Sequence, residues 1–111
     1  MEILYANSRI QKLCTNAKES KKTLGQNCAN VLKKRLEDIL TVSDLEKLRC
    51  YPGHYHELLG NRKGQVACSI AGTARLIFTP NDVLQSTKPD GGLDWAKVTA
   101  VVVLEITDYH N

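Results

Sequence analysis

Several residues in the second half of the chain could together perform one reaction without a metal. Cleavage of RNA through its own 2′-hydroxyl needs a base for that proton, an acid for the leaving 5′-oxygen and cations for the charge on phosphorus. Histidine can take either proton role near pH 7, and the arginine fork fits phosphoryl oxygens. The residues that could converge in this way are His56, Arg62, Arg75, Asp108, Tyr109 and His110, with Lys63 beside them.

Each of these residues also has a plainer interpretation, which the residues alone favour. An arginine inside a strand is usually a surface residue that pairs across strands, and a tyrosine and histidine close to position 111 can simply be exposed. His54 and His56 would share one face of an extended segment and could bind a metal with His110. No pair of carboxylates stands at a spacing typical of a metal site, so the ligand set would be incomplete. We therefore predict no metal and no cofactor.

Length and composition indicate one folded domain spanning residues 1–111. The hydrophobic fraction is 42% and the charged fraction 24%, both ordinary for a folded domain. No apolar run approaches the ~20 residues that a membrane helix needs, and the first residues lack the pattern of a secretory signal. We therefore expect a cytoplasmic protein without a membrane partner.

The four cysteines do not form a recognisable functional motif. They stand at positions 14, 28, 50 and 68, with no close pair, which fits neither a zinc site nor a redox Cys-x-x-Cys. Cys14 and Cys28 fall on the apolar stripes of predicted helices. We interpret them as small core residues rather than catalytic thiols.

Positive charge is concentrated in the first half of the chain. Residues 8–49 hold ten Lys and Arg against five Asp and Glu, whereas residues 50–111 hold five against six. Such a face suits RNA phosphates or an acidic partner, but it can also be a solvated helical surface. The candidates for an RNA contact are Lys33, Lys34 and Arg35.

Hydrophobic periodicity predicts a strand followed by two helices. Residues 2–6 can form a strand, and Asn7 and Ser8 can cap a helix that Gly25 ends. A second amphipathic helix covers 28–40, and the capping box at 43–46 predicts a short helical turn. Two helices joined at a glycine should form an antiparallel hairpin.

From residue 55 onward the pattern is typical of strands. The predicted strands are 56–59, 65–70, 73–78 and 97–107, with a loop at 84–95. In the third of them Leu76 and Phe78 share one face and Arg75 lies on the other, so Arg75 should project from the open face if Leu76 packs on the helices. The fold class is α+β, with the N-terminal helical hairpin packed on a twisted antiparallel β-sheet.

Three segments of residues 52–111 together resemble the HigB-type toxins of the RelE/ParE superfamily. The first segment matches the histidine, glycine and arginine of a turn that is characteristic of the family. The second matches a family strand that contains an arginine, and the third matches the family's terminal Asp-Tyr-His. These segments are His56-Glu57-Leu58-Leu59-Gly60-Asn61-Arg62-Lys63-Gly64-Gln65, Gly72-Thr73-Ala74-Arg75-Leu76-Ile77-Phe78 and Glu105-Ile106-Thr107-Asp108-Tyr109-His110.

The resemblance implies a RelE-like microbial RNase fold and the toxin of a type II toxin–antitoxin pair. It implies an endoribonuclease that cleaves mRNA on the translating ribosome without a metal. His56, Asp108, Tyr109 and His110 are then the catalytic set, and Arg62 and Arg75 the phosphate-stabilising cations. The implied partners are the ribosome, mRNA and a HigA-like antitoxin with a helix-turn-helix domain, through which alone the pair would contact operator DNA.

The sequence departs from the family pattern at three places, and two other functions stay open. Leu59 stands where the family often has Lys, Ala74 stands where it has an aromatic residue, and the loop at 81–96 is longer than usual. One alternative is a ParE-like toxin that inhibits DNA gyrase by binding and is not a nuclease. The other is an inactive relative that only binds an antitoxin.

Overall fold

The computed structural model describes residues 1–107. Within that range five strands, three α-helices and three short 3₁₀ helices form an α+β domain. The strands are β1 (Glu2–Tyr5), β2 (His56–Glu57), β3 (Val66–Ser69), β4 (Arg75–Pro80) and β5 (Ala100–Thr107). The α-helices are α1 (Ser8–Thr15), α2 (Ala17–Leu24) and α3 (Gln26–Thr41), and the 3₁₀ helices are Leu45–Cys50, Gly60–Arg62 and Trp95–Lys97.

The first predicted helix is divided into two at Asn16, so the prediction of one helix from 8 to 24 is wrong. Asn7 caps α1 by accepting a hydrogen bond from the Ile10 amide at 2.9 Å. Asn16 repeats this arrangement with the Glu19 amide, also at 2.9 Å, and its extended backbone ends α1 and begins α2. Asparagine side chains compete with the helix for backbone groups, which explains the interruption.

Gly25 ends α2, as predicted, and α3 begins at the next residue. Its φ of 86° lies in a region that glycine adopts without strain. The predicted turn at 43–46 also forms, but its cap is Asp44 rather than Ser43, because the Asp44 carboxylate accepts from the Lys47 amide. Among residues 1–107, no helix is both long enough and apolar enough to cross a membrane.

The sheet has the order β1-β5-β4-β3-β2 and is mixed, which corrects the predicted antiparallel sheet. β2, β3, β4 and β5 pair antiparallel, as their short connections require. β1 instead pairs parallel with β5, with Ile3 opposite Val101. The sequence shows a strand at each end of the chain but not that these two would become neighbours.

One face of the sheet packs against the helices and forms the core. Leu76, Phe78, Val101 and Val103 project from this face and are fully buried together with helical side chains such as Leu32 and Ile39. The alternation of side chains along a strand sends their neighbours to the opposite side. We call that opposite side, which carries His56, Ala67, Arg75, Ile77 and Glu105, the open face.

Candidate active site

Two rows of side chains cross the open face. In the first row His56, Ala67, Ile77 and Glu105 lie opposite one another on β2, β3, β4 and β5. In the second row Arg75 lies between Ser69 and Thr107. Neighbouring strands are about 4.8 Å apart, so His56 and Glu105 lie about 14 Å apart at the two ends of the first row, with Arg75 in the row beside it. We call these two rows, which hold a histidine, an arginine and a carboxylate, the strip.

Small and apolar side chains form the floor between these polar groups. Ala67 and Ile77 are 2% and 3% exposed, although they point away from the core described above. A floor of this kind brings no competing hydrogen-bonding group to the centre of the strip. Because these two side chains are almost inaccessible, a molecule on the strip would contact the polar side chains around them rather than the floor itself.

The geometry of the His56 ring favours a proton on one particular nitrogen. Its Nδ1 lies 2.8 Å from the carbonyl oxygen of His54, which can only accept a hydrogen bond. Nδ1 therefore carries the proton in the neutral ring, and Nε2 is the nitrogen that can accept one. His54 itself has a φ of 52°, and the two ring centroids lie 4.8 Å apart.

Arg62 reaches the open face from the 3₁₀ turn Gly60–Arg62. Its Nη2 lies 2.7 Å from Oε2 of Glu105, and its Nη1 donates to Oε1 of Gln65 at 2.9 Å. These two contacts hold the guanidinium over the sheet. The sequence prediction placed Arg62 in the site, but it missed both partners.

Arg75 lies on the open face, as the alternation along its strand predicts. Its Nη1 donates to the carbonyl oxygens of Ala74 at 3.0 Å and Gly72 at 3.3 Å, which holds the side chain beside the β3–β4 turn. The side chain is half-buried. Thr107, which precedes Asp108 in the chain, lies directly opposite it.

Lys63 is exposed beside the open face and contacts the long loop before β5. A Cβ atom on Gly91 would lie 2.8 Å from the Lys63 Nζ, so only glycine fits at that point of the loop while the lysine keeps this position. The loop predicted at 84–95 is thus brought next to the candidate site.

Glu57 fastens the end of the same loop to the strand that carries His56. Its Oε1 accepts from the Leu93 amide at 3.1 Å, and its Oε2 accepts from the Trp95 indole at 2.9 Å. Trp95 is 4% exposed, and Arg49 lies 3.9 Å above its ring. Nothing in the sequence predicts these two hydrogen bonds, since Glu57 is only an acidic residue within a predicted strand.

The basic residues predicted on α3 do not join this site. α3 packs on the core side of the sheet, and Lys33 and Lys34 are exposed on that helix. Arg35 is half-buried, and its Nε donates to the carbonyl oxygen of Ser69 at 2.8 Å. Any contact of Lys33 or Lys34 with RNA would therefore be separate from the open face.

Asp108, Tyr109 and His110 lie outside the described residues. The metal alternative needed His110 as its third ligand, and residues 1–107 contain no group of three His, Cys, Asp or Glu side chains arranged to hold a metal ion.

The cysteines that line the interior are poor nucleophiles. Burial raises the pKa of the Cys14 thiol and of the Cys68 thiol from 9.0 to about 12 in each case. Both thiols therefore stay protonated at neutral pH, when only a thiolate would be reactive. Cys50 is exposed and is the last residue of the 3₁₀ helix Leu45–Cys50.

The sequence matches no model of a known protein family and no curated protein. Its chemistry therefore has to be inferred from the side chains of the open face.

Proposed function

We propose that this chain is a metal-independent endoribonuclease and the toxin of a type II toxin–antitoxin pair. The observation that supports the proposal most is the presence of His56, Arg62 and Arg75 on one face of the sheet, with the basic nitrogen of His56 directed away from its carbonyl partner. These are an acid–base group and two cations, as transfer through the RNA 2′-hydroxyl requires. The α+β layering is compatible with a RelE-like arrangement.

In the proposed reaction His56 Nε2 accepts the proton of the RNA 2′-hydroxyl. The 2′-oxygen attacks phosphorus, the bond from phosphorus to the 5′-oxygen breaks, and a 2′,3′-cyclic phosphate and a 5′-hydroxyl form. Arg62 and Arg75 bind the non-bridging oxygens, whose negative charge increases in the transition state. We assign the protonation of the leaving 5′-oxygen to His110, the orientation of an imidazole to Asp108 and base stacking to Tyr109.

The proposed substrate is mRNA on the translating ribosome in the cytoplasm. The proposed protein partner is a HigA-like antitoxin that neutralises the toxin and brings the pair to operator DNA through its own helix-turn-helix domain. Lys63, exposed at the side of the strip, is proposed to contact the RNA backbone.

The decisive experiment compares cleavage by the wild type and three variants on ribosomes programmed with a defined mRNA. We expect His56→Ala, Arg75→Ala and His110→Ala each to slow single-turnover cleavage by roughly a hundredfold or more, while EDTA at a level that leaves the ribosomes intact has no effect. Lys97→Ala, a change at an exposed lysine that belongs to neither row of the open face, is the matched control. Products should carry 2′,3′-cyclic phosphate ends.

Induction in cells separates this function from the alternatives. New mRNA 5′ ends within translated frames, found by primer extension and absent with His110→Ala, are expected. Growth arrest with intact mRNA would contradict the proposal and favour gyrase binding. Absence of arrest from the wild type would favour an inactive relative.

A further inference from the structure

His54 has a backbone conformation that histidine adopts rarely. Its φ is 52°, and it is the one non-glycine residue within residues 1–107 with a positive φ. Such a conformation persists only where the surrounding structure imposes it, and residues of this kind are concentrated at functional sites. In this chain the carbonyl oxygen of His54 lies 2.8 Å from Nδ1 of His56, the proposed base.

The backbone on the N-terminal side of His54 is fixed by β3 and by α3. The Ser69 amide donates to the carbonyl oxygen of Gly53 at 2.7 Å. The Ser69 carbonyl oxygen in turn accepts from Nε of the half-buried Arg35 at 2.8 Å. A Cβ atom on Gly53 would lie 2.9 Å from that Nε and 3.0 Å from a ring carbon of Tyr55. The chain therefore passes so close to α3 that only glycine fits at this point.

The backbone on the C-terminal side of His54 is fixed by the core and by the sheet. The Tyr55 ring is 8% exposed, and its centroid lies 6.3 Å from that of the Phe78 ring. His56 then pairs with Ala67. Because the residues on both sides of His54 are held in place, its φ can become negative only if one of them moves.

This arrangement provides a fixed acceptor for the His56 ring. The hydrogen bond that a neutral imidazole makes determines which of its nitrogens carries the proton. The His54 carbonyl can only accept, so a ring bonded to it has its proton on Nδ1 and a lone pair on Nε2. A ring in the other tautomer has no lone pair on Nε2 and cannot take up a proton there. Without this acceptor, the neutral rings would be divided between the two tautomers.

We propose that His54 is a positioning residue, whose backbone carbonyl keeps His56 in the tautomer protonated on Nδ1. Arg35, Ser69 and Gly53 hold His54 in the conformation that this requires. The contribution comes from the backbone of His54 and not from its imidazole. The effect on cleavage rests on the nuclease activity proposed above, whereas the effect on the tautomer does not.

The tautomer is measured by ¹⁵N NMR of the imidazole rings in the full-length protein, at about pH 9, where neutral histidine rings predominate. Long-range correlations between ring protons and ring nitrogens distinguish a protonated nitrogen from one with a lone pair. His56→Gln identifies the signals of that ring by their loss. In the wild type we expect Nδ1 of His56 to have the signal of a protonated nitrogen and Nε2 that of a nitrogen with a lone pair.

Substitutions at position 54 separate the effect of the backbone from that of the imidazole. Asparagine and glycine accept a positive φ, whereas the β-branched valine is strongly disfavoured there. We expect His54→Asn and His54→Gly to retain the wild-type tautomer of His56 and His54→Val to give a mixture of the two tautomers.

A change in α3 tests the same arrangement from the other side of the sheet. Arg35→Lys keeps the charge but removes the Nε donor, so it should also give a mixture of tautomers, and it makes the test independent of whether His54→Val folds. Glu37→Ala, a change at an exposed position of the same helix, is the matched control and should retain the wild-type tautomer.

Cleavage on programmed ribosomes measures the consequence for the reaction. The rate at saturation depends on the fraction of His56 rings in the competent tautomer. We therefore expect His54→Val and Arg35→Lys to cleave about threefold to tenfold more slowly than His54→Asn. Their dissociation constants for ribosomes should stay within about twofold of the His54→Asn value, because the carbonyl acts on a proton transfer and not on binding.

Three outcomes would overturn the inference. The first is a wild-type His56 that is divided between tautomers or protonated on Nε2. The second is the same tautomer in His54→Asn, His54→Val and Arg35→Lys. The third is loss of cleavage in His54→Gly with the tautomer retained, which would assign the chemistry to the His54 imidazole. A wild type that has the expected tautomer but cleaves no RNA would contradict the nuclease and still support the positioning of His56.

Discussion

The Glu105 carboxylate pairs with the Arg62 guanidinium, which could otherwise bind a phosphate. The two groups are 2.7 Å apart, but their side chains are 46% and 39% exposed, so solvent screens the pair. Exposed pairs of this kind contribute at most about 1 kcal/mol. An RNA phosphate can therefore displace the carboxylate, at a modest cost in affinity.

Replacement of Glu105 by glutamine should consequently strengthen RNA binding by the proposed nuclease. We expect the dissociation constant of programmed ribosomes to fall about threefold to fivefold, with the cleavage rate at saturation unchanged. Single-turnover cleavage at increasing ribosome concentration measures both quantities, and Glu46→Gln, which affects an ion pair outside the strip, is the control. Weaker binding would show instead that Glu105 holds Arg62 in position.

Cys68 should make stability depend on alkaline pH. Burial raises the pKa of its thiol from 9.0 to about 12, so between these values the unfolded chain has lost a proton that the folded chain retains. Stability from this group is complete below pH 9 and is lost as the pH rises toward 12.

We expect the difference in the free energy of unfolding between the wild type and Cys68→Ala to depend on pH. The variant loses packing at every pH, but its free energy of unfolding should fall less steeply above pH 9. The difference in slope should approach about 1.4 kcal/mol per pH unit at most. Urea unfolding at several pH values measures it, and parallel slopes would contradict the assignment.

The residues of the candidate site were predictable only where the governing pattern is local. Alternation within a single strand is sufficient to place Arg75 opposite the face of Leu76 and Phe78. The contact between Arg62 and Glu105 joins positions 43 residues apart, and it depends on the order of the strands in the sheet. No spacing in the sequence carries that information.

At the scale of elements, Glu57 connects β2 to the long loop before β5. Glu57→Ala would leave the buried indole N–H of Trp95 and the Leu93 amide without their acceptor. Buried donors that lose their partner cost roughly 1–3 kcal/mol each. Because both hydrogen bonds are only partly buried, we expect the lower end of the combined range, about 2–3 kcal/mol of destabilisation. Trp95 is the single tryptophan of the chain, and its fluorescence reports unfolding in urea directly.

The matched control for this change is Glu37→Ala. Glu37 is exposed on α3 and takes part in none of the ion pairs found among residues 1–107, so its loss should cost no more than about 0.5 kcal/mol. Equal effects of the two substitutions would mean that the loop is not fastened through Glu57.

Most helices and strands could be predicted from the sequence, but the break between α1 and α2 and the pairing of β1 with β5 could not. The apolar spacing of Ile10, Leu13, Cys14 and Ala17 continues through Asn16, so periodicity alone indicates one helix where capping by Asn16 produces two. The parallel pairing of β1 with β5 was missed for a different reason. A strand of four residues can pair with any exposed edge, and the choice is made by tertiary packing.

At the scale of the whole molecule, the sheet separates two surfaces of different chemistry. The open face carries His56, Arg62 and Arg75, and the helical side carries the exposed Lys33 and Lys34. The basic first half of the sequence indicates a charged surface, but it does not indicate that α3 lies behind the sheet. Any contact made by Lys33 and Lys34 is therefore separate from the strip.

This separation also predicts how stability is distributed. β4 and β5 lie inside the sheet and carry fully buried side chains, among them Phe78 and Val103, so their amides exchange only when most of the domain opens. α2 has Ser20 as its one fully buried residue and contacts that core only through the partly buried Leu24, so its opening removes little of the core packing. We expect amides in the middle of α2 to exchange at least ~100-fold faster than those of Leu76–Phe78.

Native-state hydrogen exchange followed by NMR measures this difference for each amide. Gly25→Ala tests the same difference in exchange more directly. A residue with a Cβ is strained at the observed φ of 86°, so the substitution should destabilise the α2–α3 junction. Exchange in α2 should then accelerate while Leu76–Phe78 changes little. Equal acceleration in both segments would show instead that α2 and the sheet unfold as one cooperative unit, because the free energy of opening would then be common to both.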